Sequence, residues 1–343
     1  MTPLAYDGPP ALSVANAFSQ WELDPYLACG ITIVAALYVL GVVQMRRRGD
    51  GWPWLRTLSF LVGGLGSIVL ATMSALGVYD DTLFTDHMVQ HMILSMVAPV
   101  FLALGAPVTL ALRTFRPRSR KALLGVLHSK VARFFTWTPI AWAHFVLLPF
   151  VLYHTQWYAA TLQHTWLHEL LHVQILVAGC LFFWPLLGLD PLPGRISYPA
   201  RMLVTFLSLP FHAILGLSVM LQTSLIAGDY YRELGRPWGP SLSADQYAGG
   251  GVLWATGDLV GLLFFGVMFF QWQRAESRTA VREDRRLDRL DRTGRRAAAA
   301  AVALPDQMPT AETEPARDLP WWEVDAGPLA ERVRRENWAD PRD

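Results

Sequence analysis

Long apolar stretches alternate with short polar segments along most of the chain. Seven of these stretches are each long enough to cross about 30 Å of hydrocarbon as a helix, and they are too long to be strands. Only helices and closed barrels satisfy their backbone hydrogen bonds in lipid, so the pattern predicts an all-α, polytopic membrane protein with a seven-transmembrane-helix bundle. The predicted spans are residues 26–45, 57–78, 86–112, 136–154, 168–188, 199–226 and 249–272.

The composition agrees with a membrane protein. Of the 343 residues, 52% are hydrophobic and 17% are charged, whereas an ordinary soluble domain has roughly 25% charged residues. The mean hydropathy is +0.27. We therefore expect contacts with membrane lipid and no nucleic-acid partner.

Lysine and arginine are unequally distributed between the two sides of the predicted bundle. Thirteen of them lie in loops 46–56, 113–133 and 195–201, whereas the opposite loops hold only Arg232 and Arg236. The positive-inside rule therefore predicts an N-terminus outside and a C-terminus in the cytoplasm. We expect a multi-pass protein of the cell (plasma) membrane.

The chain divides into three predicted regions. Residues 1–25 have no basic segment followed by an apolar one, which predicts a short extracytoplasmic leader rather than a cleaved signal. Residues 26–272 form the seven-helix membrane domain. Residues 273–343 are predicted to be a charged, largely disordered cytoplasmic tail, whose Arg-rich first part extends the last helix.

Histidines are concentrated at one face of the predicted bundle. Six of the nine lie on the outer side, at the ends of spans or in a loop. His87 and His91 are four residues apart, and so are His168 and His172, so each pair projects from one side of its helix. Two such rows on neighbouring helices predict a metal site at the extracytoplasmic face.

The available ligand types favour copper. Met88 and Met92 accompany the first histidine pair, whereas Cys29 and Cys180 lie in different spans and form no paired-thiolate motif. Cu(I) accepts imidazole and thioether, whereas zinc favours imidazole, thiolate and carboxylate. Methionine also tolerates an oxidising exterior, where paired thiols form disulfides. The residues therefore favour Cu(I).

A metalloprotease is one alternative. Residues 168–172 read HELLH, which matches the HExxH motif of zinc proteases and gives Glu169 the role of general base. Asp190, a candidate third ligand, lies at the other end of the same span, about 30 Å from His168 at 1.5 Å per residue. This alternative leaves His87 and His91 without a role.

A haem-binding membrane redox subunit is the second alternative. Two histidines from different helices can hold a haem as axial ligands. His144 and His212, near the predicted middle of the membrane, suit this role better than the outer rows do. The alternative predicts a cross-helix pair deep enough to bury the macrocycle.

Three stretches of the chain read DHMVQHMILSMVAPVFLALGAPVTLALR, LYHTQWYAATLQHTWLHELLHVQILVAGCLFFWPLLGLDP and SADQYAGGGVLWATGDL. They resemble the multispan CtaG family of cytochrome c oxidase assembly factors. The resemblance covers about residues 25–272. It implies seven spans and a role in copper insertion into haem-copper oxidases.

The histidine rows and the resemblance together give a set of expected functional residues. Copper would pass from an external copper donor to a haem-copper oxidase subunit, with no reaction on a substrate, so we expect no enzymatic activity. Leu171 stands where the resemblance leads us to expect a carboxylate. The expected metal ligands are His87, His91, His168 and His172, with His154, Met88 and Met92 as auxiliary ligands, and the expected supporting residues are Asp258, Asp245, Gln246 and Glu169.

Overall fold

A computed structural model of the chain describes residues 6–193 and 196–302. These residues form helices and connecting segments and contain no strand, which confirms the all-α prediction for the described part of the chain. The first half contains α1 Val14–Ser19, α2 Pro25–Arg47, α3 Trp54–Leu58, the π-helix π1 Ser59–Leu65, α4 Gly66–Met73, α5 Ala75–Val78, α6 Phe84–Met92, the π-helix π2 Ile93–Val97, α7 Ala98–Leu104, α8 Pro107–Thr114, α9 Pro117–Leu127 and α10 Lys130–Phe135. The second half contains α11 Thr138–His154, α12 Trp157–Gln163, α13 Thr165–Leu187, α14 Tyr198–Leu221, α15 Gly228–Leu234 and α16 Leu242–Val302.

Several helices are long and apolar enough to cross a membrane. Among the described residues, six helical segments meet this condition by length and composition, and the shorter apolar helix α11 coincides with the remaining predicted span. The chain is therefore a multi-pass membrane protein. The six segments are Pro25–Arg47, Trp54–Val78, Phe84–Thr114, Thr165–Leu187, Tyr198–Leu221 and Leu242–Arg296.

Two predicted spans differ from the helices at their ends. The span predicted to end at residue 226 stops at Leu221, because Gln222 is extended and Ala227 has a left-handed conformation with φ 50°. The last helix begins at Leu242, before the predicted start at residue 249. It also continues to Val302, which agrees with the expected helical extension of the Arg-rich segment.

The contacts divide the chain into two units, Met1–Glu276 and Ser277–Asp343. The first unit contains the apolar core, to which all the long apolar segments contribute. The predicted disorder of the tail falls largely on residues 303–343, which lie outside the described residues. The boundaries predicted for the three regions remain predictions.

The third apolar segment is not one straight helix. It consists of α6, π2, α7 and α8, and Ala106 interrupts it with φ 48° just before Pro107. Proline is well suited to the first position of the helix that follows. Helix α13 packs closely against this segment: an added Cβ on Gly179 would lie 2.1 Å from the Ser95 carbonyl oxygen. The Trp184 indole nitrogen also donates a hydrogen bond to the Pro99 carbonyl, at 3.1 Å.

Candidate metal centre

The two histidine rows face each other between α6 and α13. The ring centroids of His87 and His91 are 3.9 Å apart, and those of His168 and His172 are 4.6 Å apart. Across the helices, the His87 and His168 rings are 5.3 Å apart and the His91 and His172 rings are 6.2 Å apart. All four side chains are buried. The structure therefore brings together the four main ligands predicted from the sequence.

A buried carboxylate lies beside three of the four histidines. Asp80 lies between α5 and α6, and its Oδ2 is 3.4 Å from His168 Nε2 and 3.8 Å from His172 Nε2. One ligand atom from each of Asp80, His87 and His168 lies within 4.8 Å of the other two. Burial raises the pKa of Asp80 to about 7, and the nearby His172 opposes this rise. Burial therefore favours the protonated form of this carboxyl group more than it would be favoured in an exposed aspartate.

Several ring nitrogens in the cluster have no hydrogen-bond partner in the protein. They are both nitrogens of His87, Nε2 of His91, Nε2 of His168 and Nδ1 of His172. Most buried polar atoms in folded proteins are hydrogen-bonded, and leaving one unpaired costs about 1–3 kcal/mol. Every neutral imidazole carries one nitrogen lone pair that a cation can accept. The donor set therefore fits a metal ion bound among the histidines.

Gln90 fixes the orientation of His172. Its Nε2 donates hydrogen bonds to the Ala71 carbonyl at 3.1 Å and to Asp80 Oδ2 at 2.7 Å. Because the Ala71 carbonyl can only accept, the other end of the amide must be its oxygen. That oxygen lies 2.9 Å from His172 Nε2, which must therefore carry the proton. His172 then keeps a lone pair only on Nδ1, 3.7 Å from Glu169 Oε2.

The Tyr153 side chain contacts the histidine row on α6. The Tyr153 hydroxyl lies 2.6 Å from His91 Nδ1. In the tautomer in which Nδ1–H donates to this hydroxyl, the lone pair is on His91 Nε2, which has no hydrogen-bond partner in the protein. Such partners orient metal-binding histidines and raise their affinity for the ion. Sequence reasoning did not identify Tyr153 or Gln90. The signal for Gln90 is its position as an amide between the two histidines, within an apolar segment.

The predicted auxiliary ligands are not all placed with the cluster. The ring of His154 is exposed, and its nitrogens contact the Phe150 carbonyl at 3.2 Å and the Ser218 hydroxyl at 3.1 Å. Met88 is buried against α16, where an added Cβ on Gly249 would lie 3.1 Å from its Cγ. Met92 lines a small cavity together with His91. The donor atoms that meet in the structure are those of Asp80, His87 and His168. Met88 and Met92 stay predicted auxiliary ligands.

Two predicted supporting residues of α16 hold neighbouring segments in place. The Asp245 carboxylate accepts hydrogen bonds from the backbone nitrogens of Phe84 at 3.0 Å and Thr85 at 3.1 Å, and so caps the start of α6. Gln246 accepts a hydrogen bond from the Ile226 backbone nitrogen at 2.8 Å. Asp245 therefore supports His87 and His91 through the helix that carries them.

Asp258 lies elsewhere in α16. It follows Gly257, where an added Cβ would be 2.9 Å from the His212 side chain. Its Oδ1 is buried without a hydrogen-bond partner. The structure thus associates Asp258 with His212 rather than with a histidine of the cluster.

Comparison with known proteins identifies the family. Residues 36–275 match the model of the cytochrome c oxidase caa3 assembly factor family, Caa3_CtaG. The chain belongs to this family. The match includes α6 and α13, and hence the four histidines that face each other in the structure.

Curated relatives of this Caa3_CtaG chain are longer proteins. Uncharacterized proteins from Mycobacterium bovis and Mycobacterium tuberculosis are each 35% identical to it over 292 residues, and one from Mycobacterium leprae is 34% identical over the same length. The alignments cover 83% of this chain and 44% of each relative, so the chain spans less than half the length of the curated relatives it matches. No solved structure matches the chain.

The structure of this Caa3_CtaG chain can be compared with the two alternative functions, a metalloprotease and a haem-binding redox subunit. Asp190 bonds to the Thr109 backbone nitrogen and hydroxyl, both at 2.7 Å, and does not approach the HELLH histidines. The cavity beside His212 measures about 30 Å³, which is room for about two water molecules and not for a macrocycle. Neither the metalloprotease nor the haem protein gains support from these distances and volumes.

Proposed function

We propose that this protein is a cytochrome c oxidase assembly factor that binds copper between α6 and α13 and delivers it to a haem-copper oxidase subunit. Four buried histidines, with unpaired ring nitrogens contributed by both helices, carry the proposal. Membership of the caa3 assembly factor family supports the oxidase as recipient. Copper is the cargo of this protein, received from an external copper donor and released to the oxidase.

The donors suit a metal that must be both held and released. Imidazole is a good ligand for copper, and Cu(I) accepts low coordination numbers. His87, His91 and His168 each offer an unpaired nitrogen without any rearrangement. Asp80 adds a carboxylate that widens the range of metals to include zinc and iron. The choice of copper therefore depends on the family as well as on the ligands.

We further propose seven membrane helices, with α11 as the shortest, the N-terminus outside and the tail in the cytoplasm. At 1.5 Å per residue, the 17 residues of α11 extend about 25 Å, close to the thickness of the hydrocarbon core. The basic loops support this orientation in the plasma membrane. The histidine cluster then opens toward the extracytoplasmic side, where the oxidase would receive copper.

Delivery of copper requires no reaction on a substrate, so the proposed role is not enzymatic. A protease would need Glu169 to activate a water on a metal held by His168 and His172. Instead, His172 Nε2 is engaged by Gln90, and Glu169 lies 3.7 Å from His172 Nδ1. These contacts favour a transfer site over a hydrolytic one.

The proposal is tested by the metal content of the purified protein and of the oxidase. The double variant His87→Ala with His91→Ala should lose most of its bound copper, because both α6 ligands are removed. In cells that depend on the variant, the oxidase should contain less copper than in wild-type cells. His128→Ala is the matched control, because His128 is exposed, lies outside the cluster and contacts the Leu124 carbonyl of the preceding helix.

Elemental analysis distinguishes the outcomes. Copper retained by the double variant would contradict the histidine site, and unchanged oxidase copper would contradict delivery. His154→Ala asks separately whether the exposed histidine participates. Since its ring contacts Ser218 rather than the cluster, we expect this variant to retain its copper.

A further inference from the structure

A cavity of about 450 Å³ adjoins the histidine cluster. Five carboxylates line it, and the lining residues that the structure describes include no lysine or arginine. Polypeptide from four parts of the first unit meets here: the segment before α2, the segment around α5, α12 and the start of α13. The carboxylates are Glu22, Asp24, Asp80, Asp81 and Glu169.

The carboxylates are arranged by depth. Glu22, Asp81 and Glu169 are exposed, whereas Asp80 is buried. Asp24 is partly buried and caps α2 by accepting hydrogen bonds from two backbone nitrogens. Carboxyl groups therefore line the cavity from its exposed surface to the buried Asp80.

An unpaired imidazole nitrogen lies at the inner end of the cavity. His168 lines the cavity and is only 9% exposed, and its Nε2 has no hydrogen-bond partner. The same nitrogen is 3.4 Å from the Asp80 carboxylate, an oxygen of which lies within 4.8 Å of a ring nitrogen of His87. The acidic surface thus ends at a buried group that is able to accept a cation.

We infer that this cavity is the entry vestibule through which a soft monovalent cation reaches the histidines. The inference rests on the proposed copper-binding function. Exposed carboxylates attract a cation by charge, but as hard oxygen ligands they hold a soft ion weakly. Imidazoles bind it better. A cation therefore moves from the mouth, where it is attracted, to the histidines, where it is retained.

The vestibule acts on the rate of metal capture rather than on the rate of metal release. Clefts lined by one sign of charge raise association rates by about 10- to 1000-fold, and salt reduces this effect. Glu22 and Asp81 are exposed and lie outside the set of ligand atoms that meet around His87. Removing their charge should slow entry and leave the binding site intact.

The test uses the full-length protein in detergent, with Ag(I) as a redox-stable substitute for Cu(I) and sodium nitrate as the salt. Stopped-flow fluorescence measures the association and dissociation rates. Glu22→Gln with Asp81→Asn should bind Ag(I) about tenfold more slowly than wild type at low salt. High salt should remove the difference, and the dissociation rate and stoichiometry should not change.

The matched control is Asp229→Asn with Glu233→Gln, which removes the same charge from exposed positions outside the cavity. This control should bind Ag(I) at the wild-type rate. Equal slowing in both double variants would overturn the vestibule, since net charge would then explain the effect. A wild-type rate in the first variant would overturn it as well, and would leave the copper site standing. Failure of the wild-type protein to bind Ag(I) or Cu(I) would instead overturn the proposed function and the vestibule with it.

Discussion

A single buried amide determines which nitrogen of His172 is free for a metal. Gln90 has no exposed surface, and it bonds Asp80 and His172 as well as the Ala71 carbonyl. It therefore orients two groups of the cluster without offering a ligand of its own. Groups of this kind typically contribute 10- to 100-fold to metal affinity.

Replacing Gln90 tests this positioning role. Gln90→Leu should weaken metal binding by about 10- to 100-fold, because His172 becomes free to rotate and Asp80 loses a donor. Competition with a chelator of known affinity measures the change. Gln246→Leu is the matched control: it removes another buried amide that bonds the backbone, here at Ile226, Val219 and Gln222. This control should lower thermal stability without changing metal affinity, and equal losses of affinity would contradict the assignment to Gln90.

At the residue scale, the sequence identifies the histidines but not their partners. A spacing of four residues between histidines can be read from the sequence, and it indicates that their side chains lie on one side of a helix. The Tyr153 hydroxyl on His91, by contrast, joins residues 62 positions apart. Nothing in local spacing indicates such a contact. The exposed position of His154 is equally a result of tertiary packing.

At the element scale, close approach between α13 and π2 brings the two histidine rows together. Gly179 permits this approach, since a Cβ there would be 2.1 Å from the Ser95 carbonyl oxygen. Small residues commonly allow such contacts between membrane helices. The π-helix follows α6 directly, and π-helical turns frequently occur at functional sites.

Enlarging this glycine should separate the helices. Gly179→Ala should destabilise the protein by about 1–3 kcal/mol, because the backbone of π2 must move away. It should also weaken metal binding, since His91 lies four residues before Ser95. Thermal unfolding in detergent and metal titration measure the two effects. Gly266 provides the control, because an added Cβ there meets nothing within 4 Å. Gly266→Ala should change the free energy of unfolding by less than about 1 kcal/mol. A loss of stability equal to that of Gly179→Ala would refute the packing argument.

At the scale of the whole molecule, hydropathy and basic residues lead to the proposed topology. The long apolar segments are visible in the sequence because each must cover the thickness of the membrane. The ends of the helices are harder to read from the sequence. Helix α14 stops at Leu221, before the chain turns at Ala227. Helix α16 continues into a charged segment that is itself a good helix former.

Cysteine labelling tests the orientation. In a chain that carries Cys29→Ser and Cys180→Ser, an impermeant maleimide should label Thr223→Cys in intact cells, because the segment after α14 is placed outside. Ser119→Cys, in the basic segment between α8 and α10, should react only after the membrane is permeabilised. Both positions are exposed, so accessibility within the protein does not distinguish them. Labelling of Ser119→Cys in intact cells would reverse the proposed orientation.

The sequence by itself determined the helical membrane architecture and the two histidine rows. Both depend on local periodicity and on the length of chain needed to cross lipid, and neither requires knowledge of distant contacts. Only the tertiary structure decided that the rows face each other, that Asp80 and Gln90 join them, and that an acid-lined cavity leads to them. These features depend on which helices pack together, because burial and hydrogen bonding between distant residues select a ligand set that spacing along the chain does not specify.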